Sequence, residues 1–121
     1  VLIYTIAFSS AYWFGFSTLF WVWIFPLLLG QPFLRFYLLA EHGLCPYVAN
    51  ALENTRTTFT NRLICFLAWN MPYHTEHHIN PMVPFHKIPD LHVIIRDQLV
   101  HTENGYIVFT NDYIKTIKKA V

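Results

Sequence analysis

The stretch AYWFGFSTLFWVWIFPLLL at residues 11–29 contains nineteen consecutive residues without a charged side chain. A helix that crosses the hydrocarbon core of a bilayer needs about 20 apolar residues, each adding a rise of about 1.5 Å. The stretch therefore predicts one membrane span. Residues 1–8 are also apolar but too few to cross, and Ser9 with Ser10 provides a polar break. We therefore expect residues 1–8 to end a preceding span.

Charged residues divide the chain into two parts at Arg35. All fifteen lie from Arg35 onward, whereas residues 1–34 hold 24 hydrophobic side chains and 11 of the 22 aromatic ones. This division predicts that the first part lies in lipid and the second in water. Because Lys and Arg favour the cytoplasmic side of a membrane, residues 35–121 are predicted to be cytoplasmic. A net charge of +1 without a basic cluster argues against nucleic acid as a partner.

Proline, glycine and asparagine interrupt the second part, which predicts short helices joined by loops. Gly43 is expected to stop the long helix at His42. The predicted elements are helices at residues 61–69, 72–79 and 86–100, a strand at 106–109 and a basic helix at 112–121. The predicted fold is an all-α integral membrane protein. It has a transmembrane segment (1–34), a cytoplasmic helical cap (35–100) and a tail (101–121) with a short C-terminal β segment.

Three histidines stand close together in NMPYHTEHHINP at residues 70–81. His74, His77 and His78 are at positions i, i+3 and i+4, which share one face of an α-helix, so their imidazoles can converge on a metal. The adjacent pair can serve two metals. Neutral imidazoles suit iron, which we favour. A three-histidine zinc site and a purely structural cluster stay open, whereas the zinc protease motif is absent because Thr75 follows the first histidine.

Four segments give the chain a family resemblance. They are AEHG at residues 40–43, NTRT at 54–57, WNMPYHTEHH at 69–78 and PMVPFHKIPDLH at 81–92. Together they resemble the membrane fatty acid desaturases, particularly bacterial members, and the histidine cluster is similar to the family's third histidine box. The resemblance implies a di-iron enzyme with four membrane helices and a cytoplasmic cap, in which eight or nine histidines hold two iron ions.

The resemblance also assigns metal ligands. By position, His74, His77 and His78 correspond to ligands of the third box, and His42 is similar to the additional histidine between the second and third boxes. The family's first two boxes do not occur in these 121 residues. The chain is therefore expected to be the C-terminal part of the enzyme and to be inactive alone. Glu41 is expected to support a ligand, with a simple charge at the helix end as the alternative.

The reaction implied by the resemblance is the introduction of a double bond into a fatty acyl lipid or thioester, with dioxygen as co-substrate. An external electron donor of the ferredoxin or cytochrome b5 type is implied, since the chain has no fused heme or flavin motif. Two alternatives stay open. One is a membrane hydroxylase of fatty acids, alkanes or carotenoids, and the other is a noncatalytic membrane module that binds zinc or heme.

The remaining polar residues are assigned supporting roles. His86 and His92 are expected to pack or to form hydrogen bonds, and His101 is expected to be exposed. Arg56 and its NTRT neighbours are expected to order a loop against the histidine helix, with an acyl headgroup as the alternative contact. Asn70 is predicted to cap the histidine helix.

Overall fold

The structure, a computed structural model, describes residues 1–120 and is mostly helical. The chain divides into two compact units, Val1–Arg35 and Phe36–Val121. The helices are α1 (Leu2–Phe14), α2 (Phe16–Leu19), α3 (Phe25–His42), α4 (Ala51–Asn54), α5 (Arg62–Leu67), α6 (His74–Ile79), α7 (Ile88–Ile95) and α8 (Tyr106–Ala120). A π-helical turn at Phe20–Ile24 joins α2 to α3, and 3-10 turns at Phe85–Lys87 and Arg96–Gln98 flank α7.

The first unit breaks at Gly15 and not at the two serines. Gly15 has φ 102°, a backbone conformation that residues with a side chain rarely adopt. Ser10 continues α1, where its hydroxyl donates to the Ala7 carbonyl at 2.8 Å. The predicted boundaries of the span at residues 11–29 are therefore wrong. Within residues 1–120, the helix that is long and apolar enough to cross a membrane is Phe16–His42, with 27 residues.

Pro26 is accommodated by the π-helical turn before it. Proline lacks the N–H that would bond the carbonyl four residues earlier, so an α-helix must adjust at that point. Here the N–H of Phe25 donates to the Phe20 carbonyl, a five-residue step that widens the turn. Pro32 lies inside α3, which continues to His42. The helix therefore widens locally before Pro26 and continues past Pro32 to His42.

The second unit contains most of the predicted helices, with different ends. Asn61 caps α5, because its side-chain oxygen accepts from the N–H of Ile64 at 2.9 Å. Helix α6 begins two residues later than predicted. The predicted helix at 86–100 is α7 with its flanking 3-10 turns.

The predicted strand at residues 106–109 is wrong, because these residues form the first turn of α8. In a helix Phe109 reaches the core, where it is 2% exposed, while Ile107 faces outward. Packing of one helical face thus outweighs the strand preference of β-branched and aromatic residues. The predicted helix at 112–121 forms the rest of α8 through Ala120, and Val121 lies outside the described residues.

A two-stranded parallel sheet forms elsewhere in the second unit. Strand β1 (Thr57–Thr58) pairs with β2 (Thr102–Glu103), with Thr57 opposite Thr102 and Thr58 opposite Glu103. Strand β1 is fully buried and belongs to the NTRT loop region. The sheet therefore fixes this loop against the C-terminal part of the chain.

Arg56 closes the C-terminal end of α3. Its Nη1 donates to the carbonyls of Ala40 and Gly43, both at 2.8 Å, and its backbone N–H donates to the Glu41 carbonyl at 2.8 Å. The guanidinium lies 4.6 Å from the centre of the Phe109 ring. Carbonyls at a helix end lack partners within the helix, so a buried arginine that binds two of them stabilises the end.

Replacing Arg56 with Met should therefore lower the free energy of unfolding by about 2 kcal/mol, since two buried carbonyls lose charge-assisted hydrogen bonds. Thermal or denaturant unfolding of the purified chain in detergent measures this loss. Arg62→Met is the matched control, because Arg62 is exposed at the start of α5. Equal stability of the two variants would contradict the capping role of Arg56.

Candidate metal centre

Three imidazoles from two helices meet in the second unit. His42 is the last residue of α3, and His74 and His78 lie one turn apart on α6. The Nε2 atom of His74 is 2.9 Å from Nε2 of His42 and 3.0 Å from Nε2 of His78. One nitrogen from each of the three rings lies within 4.8 Å of the others. The helix end and the short helix thus direct three potential metal ligands at one point.

His77 lies beside this cluster. Its ring centre is 6.3 Å from that of His74 and 5.8 Å from that of His78. Neighbouring residues on a helix point about 100° apart, so His77 and His78 face different directions. The structure therefore brings together three of the four predicted ligands and leaves His77 facing a separate point.

The start of α6 differs from the prediction. Asn70 adopts a left-handed conformation with φ 58°, and its backbone N–H donates to the Cys65 carbonyl at 2.7 Å, which closes the end of α5. Its side-chain nitrogen donates to the Phe85 carbonyl at 3.0 Å. The predicted role of Asn70 as a cap of the histidine helix is wrong. Within residues 1–120, no side chain caps α6 at Tyr73.

Burial keeps His74 in its neutral form. The residue is 8% exposed, and burial, with the nearby His78 and His42, lowers its pKa from 6.5 to about 3. Burial also lowers the pKa of His78. Neutral imidazole is the form that binds metals.

Different contacts surround the Nδ1 atoms of His42 and His74. Nδ1 of His42 is 3.3 Å from the Asn54 carbonyl oxygen. Because a carbonyl only accepts, this Nδ1 carries the hydrogen and Nε2 of His42 presents a lone pair to the cluster. Nδ1 of His74 is 3.4 Å from Oε2 of Glu41, a residue that is 1% exposed, and it has no hydrogen-bond partner within residues 1–120. Glu41 thus lies beside His74, and its support of this ligand stays a prediction.

A first-row transition metal fits this donor set. Two imidazole nitrogens bound at right angles to one metal, each at about 2.1 Å, lie about 3 Å apart. The observed separations of 2.9 and 3.0 Å agree with that value. Imidazole ligands suit iron as well as zinc.

The other histidines lie outside the cluster. Nδ1 of His92 donates to Oε1 of Glu76 at 2.5 Å, which confirms the predicted hydrogen-bonding role of His92. His86 is exposed, whereas His101 is half-buried and not exposed as predicted. Its carbonyl accepts from the N–H of Thr57 at 3.1 Å.

The sequence analysis missed the buried hydrogen bonds of Thr75 and Glu76. Thr57 donates its hydroxyl to Oε2 of Glu76 at 2.6 Å, and the hydroxyls of Thr55 and Thr75 form a hydrogen bond at 3.1 Å. These bonds order the NTRT loop against α6, as predicted for the segment as a whole. A signal for the Glu76 contacts was present in the sequence. Glu76 lies on the helix face opposite the ligands, and a charged side chain that is buried there needs hydrogen-bond donors.

Three histidines that could hold a metal ion thus lie together, one of them at the end of a helix that is apolar and long enough to cross a membrane. The family model for fatty acid desaturases matches residues 1–110 of the 121 in the chain. The chain therefore belongs to the fatty acid desaturase family, which confirms the resemblance. Membership implies a desaturase-type membrane di-iron function and iron binding in general. No curated protein and no solved structure matches the chain.

The lowered pKa of His74 predicts a pH dependence of stability. Between about pH 6.5 and 3 the unfolded chain binds a proton at this histidine and the folded chain does not. The stabilising contribution is therefore present above 6.5 and is lost as the pH falls toward 3. His74→Gln should flatten the decline in melting temperature of the metal-free chain in this range, whereas His101→Gln should not. Identical slopes in His74→Gln and the unchanged chain would contradict the prediction.

Proposed function

We propose that the chain supplies part of the di-iron centre of a membrane fatty acid desaturase, as the C-terminal part of that enzyme. The observation that carries the proposal is the convergence of three Nε2 atoms from residues as far as 36 positions apart, in a chain that belongs to this family. His42, His74 and His78 bind one iron. His77, which faces away from them, binds the second.

The remaining ligands of both ions come from residues other than these four histidines. Two irons with open positions for dioxygen need more donors than four imidazoles provide. The isolated chain is therefore expected to bind metal weakly and to be inactive.

The reaction removes two hydrogens from neighbouring methylene groups of a fatty acyl chain. Such C–H bonds have no acidic proton, so side-chain acid or base chemistry alone does not break them. Bound iron would supply the oxidising power of dioxygen. Reduction of dioxygen to two waters takes four electrons, of which the acyl chain provides two and an external donor of the ferredoxin or cytochrome b5 type provides two.

The residues of this chain hold the ligands ready for that chemistry. The Asn54 carbonyl accepts the Nδ1 hydrogen of His42, so this ring presents Nε2. The buried Glu41 carboxyl lies 3.4 Å from Nδ1 of His74, where it can support this ring when a metal binds. Burial of His74 keeps its ring neutral. A preformed set of imidazoles requires little reorganisation when the metal binds.

The apolar helix supports a location at a membrane. His42 is the last residue of the 27-residue apolar helix Phe16–His42. We propose that this helix spans the bilayer and delivers His42 to its cytoplasmic surface, where Lys and Arg residues follow. The acyl substrate, as a lipid or a thioester, would then reach the centre from the membrane.

Metal binding by the histidine variants tests the ligand assignment. His42→Ala, His74→Ala and His78→Ala should each abolish Fe²⁺ binding by the purified chain, measured anaerobically by metal analysis after desalting. His77→Ala should lower the iron content less, since this residue does not face the cluster, and His101→Ala should leave it unchanged. Equal iron retention in all five variants, or zinc with no iron in protein purified from cells, would refute the assignment.

Product analysis tests the reaction. Cells that express the complete open reading frame encoding this chain should accumulate unsaturated acyl chains, and His78→Ala should remove them. Gas chromatography with mass spectrometry of the lipid extract measures both outcomes. A hydroxylated product without an alkene would replace desaturation with hydroxylation.

A further inference from the structure

We propose that Glu76 is a positioning residue, which fixes the rotation of α6 and thereby the direction of His74 and His78, with His92 and Thr57 as its anchors. This inference rests on the proposed metal site. The Glu76 carboxylate forms its hydrogen bonds with His92 and Thr57 and not with a clustered histidine. It lies on the side of α6 opposite His74 and His78.

Both carboxylate oxygens of Glu76 are engaged. Oε1 accepts from Nδ1 of His92 at 2.5 Å, and Oε2 accepts from the Thr57 hydroxyl at 2.6 Å. The residue is 0% exposed. His92 belongs to α7 and Thr57 to β1, so a single side chain joins α6 to two other elements. A carboxylate excluded from water retains its charge only where such donors replace the solvent.

Helix α6 depends on tertiary contacts for its orientation. It has six residues, too few for an isolated helix to be stable in water. At about 100° per residue, Glu76 points about 200° away from His74. An anchor opposite the ligands therefore controls the rotation of the ligand face.

A small rotation of α6 about its axis displaces the ligand nitrogens by a large distance. The Cα atoms lie about 2.3 Å from the helix axis and the imidazole extends several ångströms further, so a turn of about 10° moves Nε2 by about 1 Å. Metal ligands tolerate displacements of about 0.5 Å. A hydrogen-bonded anchor with two fixed partners restricts the helix to that range.

His92 is itself held in place. Its ring centre lies 4.9 Å from that of Tyr73 and 5.7 Å from that of Phe59. Because a carboxylate only accepts, Nδ1 carries the hydrogen of the bond to Glu76. His92 is the last residue of the PMVPFHKIPDLH segment, so this geometry gives that segment a physical role in the metal site.

Cobalt binding separates positioning from stability. Co²⁺ is titrated into the full chain in detergent, and its visible d–d absorption reports both the affinity and the arrangement of the ligands. Glu76→Met keeps most of the side-chain volume and removes both hydrogen bonds, so Co²⁺ should bind about tenfold more weakly and with a changed spectrum. Glu76→Gln should restore both, because the amide accepts from His92 and donates to Thr57.

Two further variants keep the test decisive. If Glu76→Met does not fold, Thr57→Val removes one of the two bonds and should weaken Co²⁺ binding by a smaller factor. Asp90→Asn is the matched control, since Asp90 is an exposed carboxylate on α7 and should not change the titration.

The outcomes distinguish this inference from the proposed metal site. Absence of Co²⁺ and Fe²⁺ binding in the unchanged chain would refute the site itself. A wild-type spectrum and affinity in folded Glu76→Met or in folded Thr57→Val, with only the melting temperature lowered, would overturn the positioning role. A changed spectrum in Glu76→Met with recovery in Glu76→Gln supports it.

Discussion

The candidate site depends on one close approach, because His42 and His74 are 32 residues apart in sequence and their Nε2 atoms are 2.9 Å apart. Neither helix can hold this geometry alone. The last turn of α3 would fray without partners for its carbonyls, and α6 is a single short helix. The intervening segment supplies what both lack. Arg56 binds the end of α3, and Thr55 and Thr57 bind the residues of α6 beside the ligands.

The interior of the second unit is consequently rich in polar groups. Its buried polar residues outnumber its buried apolar ones and include two acids and an arginine: Glu41, Thr55, Arg56, Thr57, Thr58, His74, Thr75 and Glu76. Replacing a buried polar network with apolar groups of equal volume often stabilises a protein, so such a network is weak support for stability as such. The pattern of this network instead fits the positioning of the histidine ligands, since most of these residues contact a ligand or the backbone next to one.

The sequence predicts much of the architecture where a local physical rule decides. The apolar run predicts a long apolar helix, and Asn61 marks the start of α5 because its side chain satisfies a free N–H. Prediction from sequence fails where contacts between residues far apart in the chain decide the structure. The strand preference of residues 106–109 is overridden because Phe109 packs against Arg56 and Gly43, which are more than fifty residues away along the chain. The break at Gly15 was missed because nothing in the sequence distinguishes a helical glycine from a left-handed one.

The site shows the same division between local and tertiary information. Helical spacing predicts that His74 and His78 share a face, and the structure bears this out. The pairing of Glu76 with His92 has no local signature, because it depends on how α6 and α7 pack. The hydrogen bond from Nδ1 of His42 to the Asn54 carbonyl also comes from packing, and it turns the His42 Nε2 lone pair toward Nε2 of His74 at 2.9 Å. A metal ion that binds these nitrogens in the folded unit but not in the unfolded chain stabilises the fold, so metal binding and folding of this unit should stabilise each other.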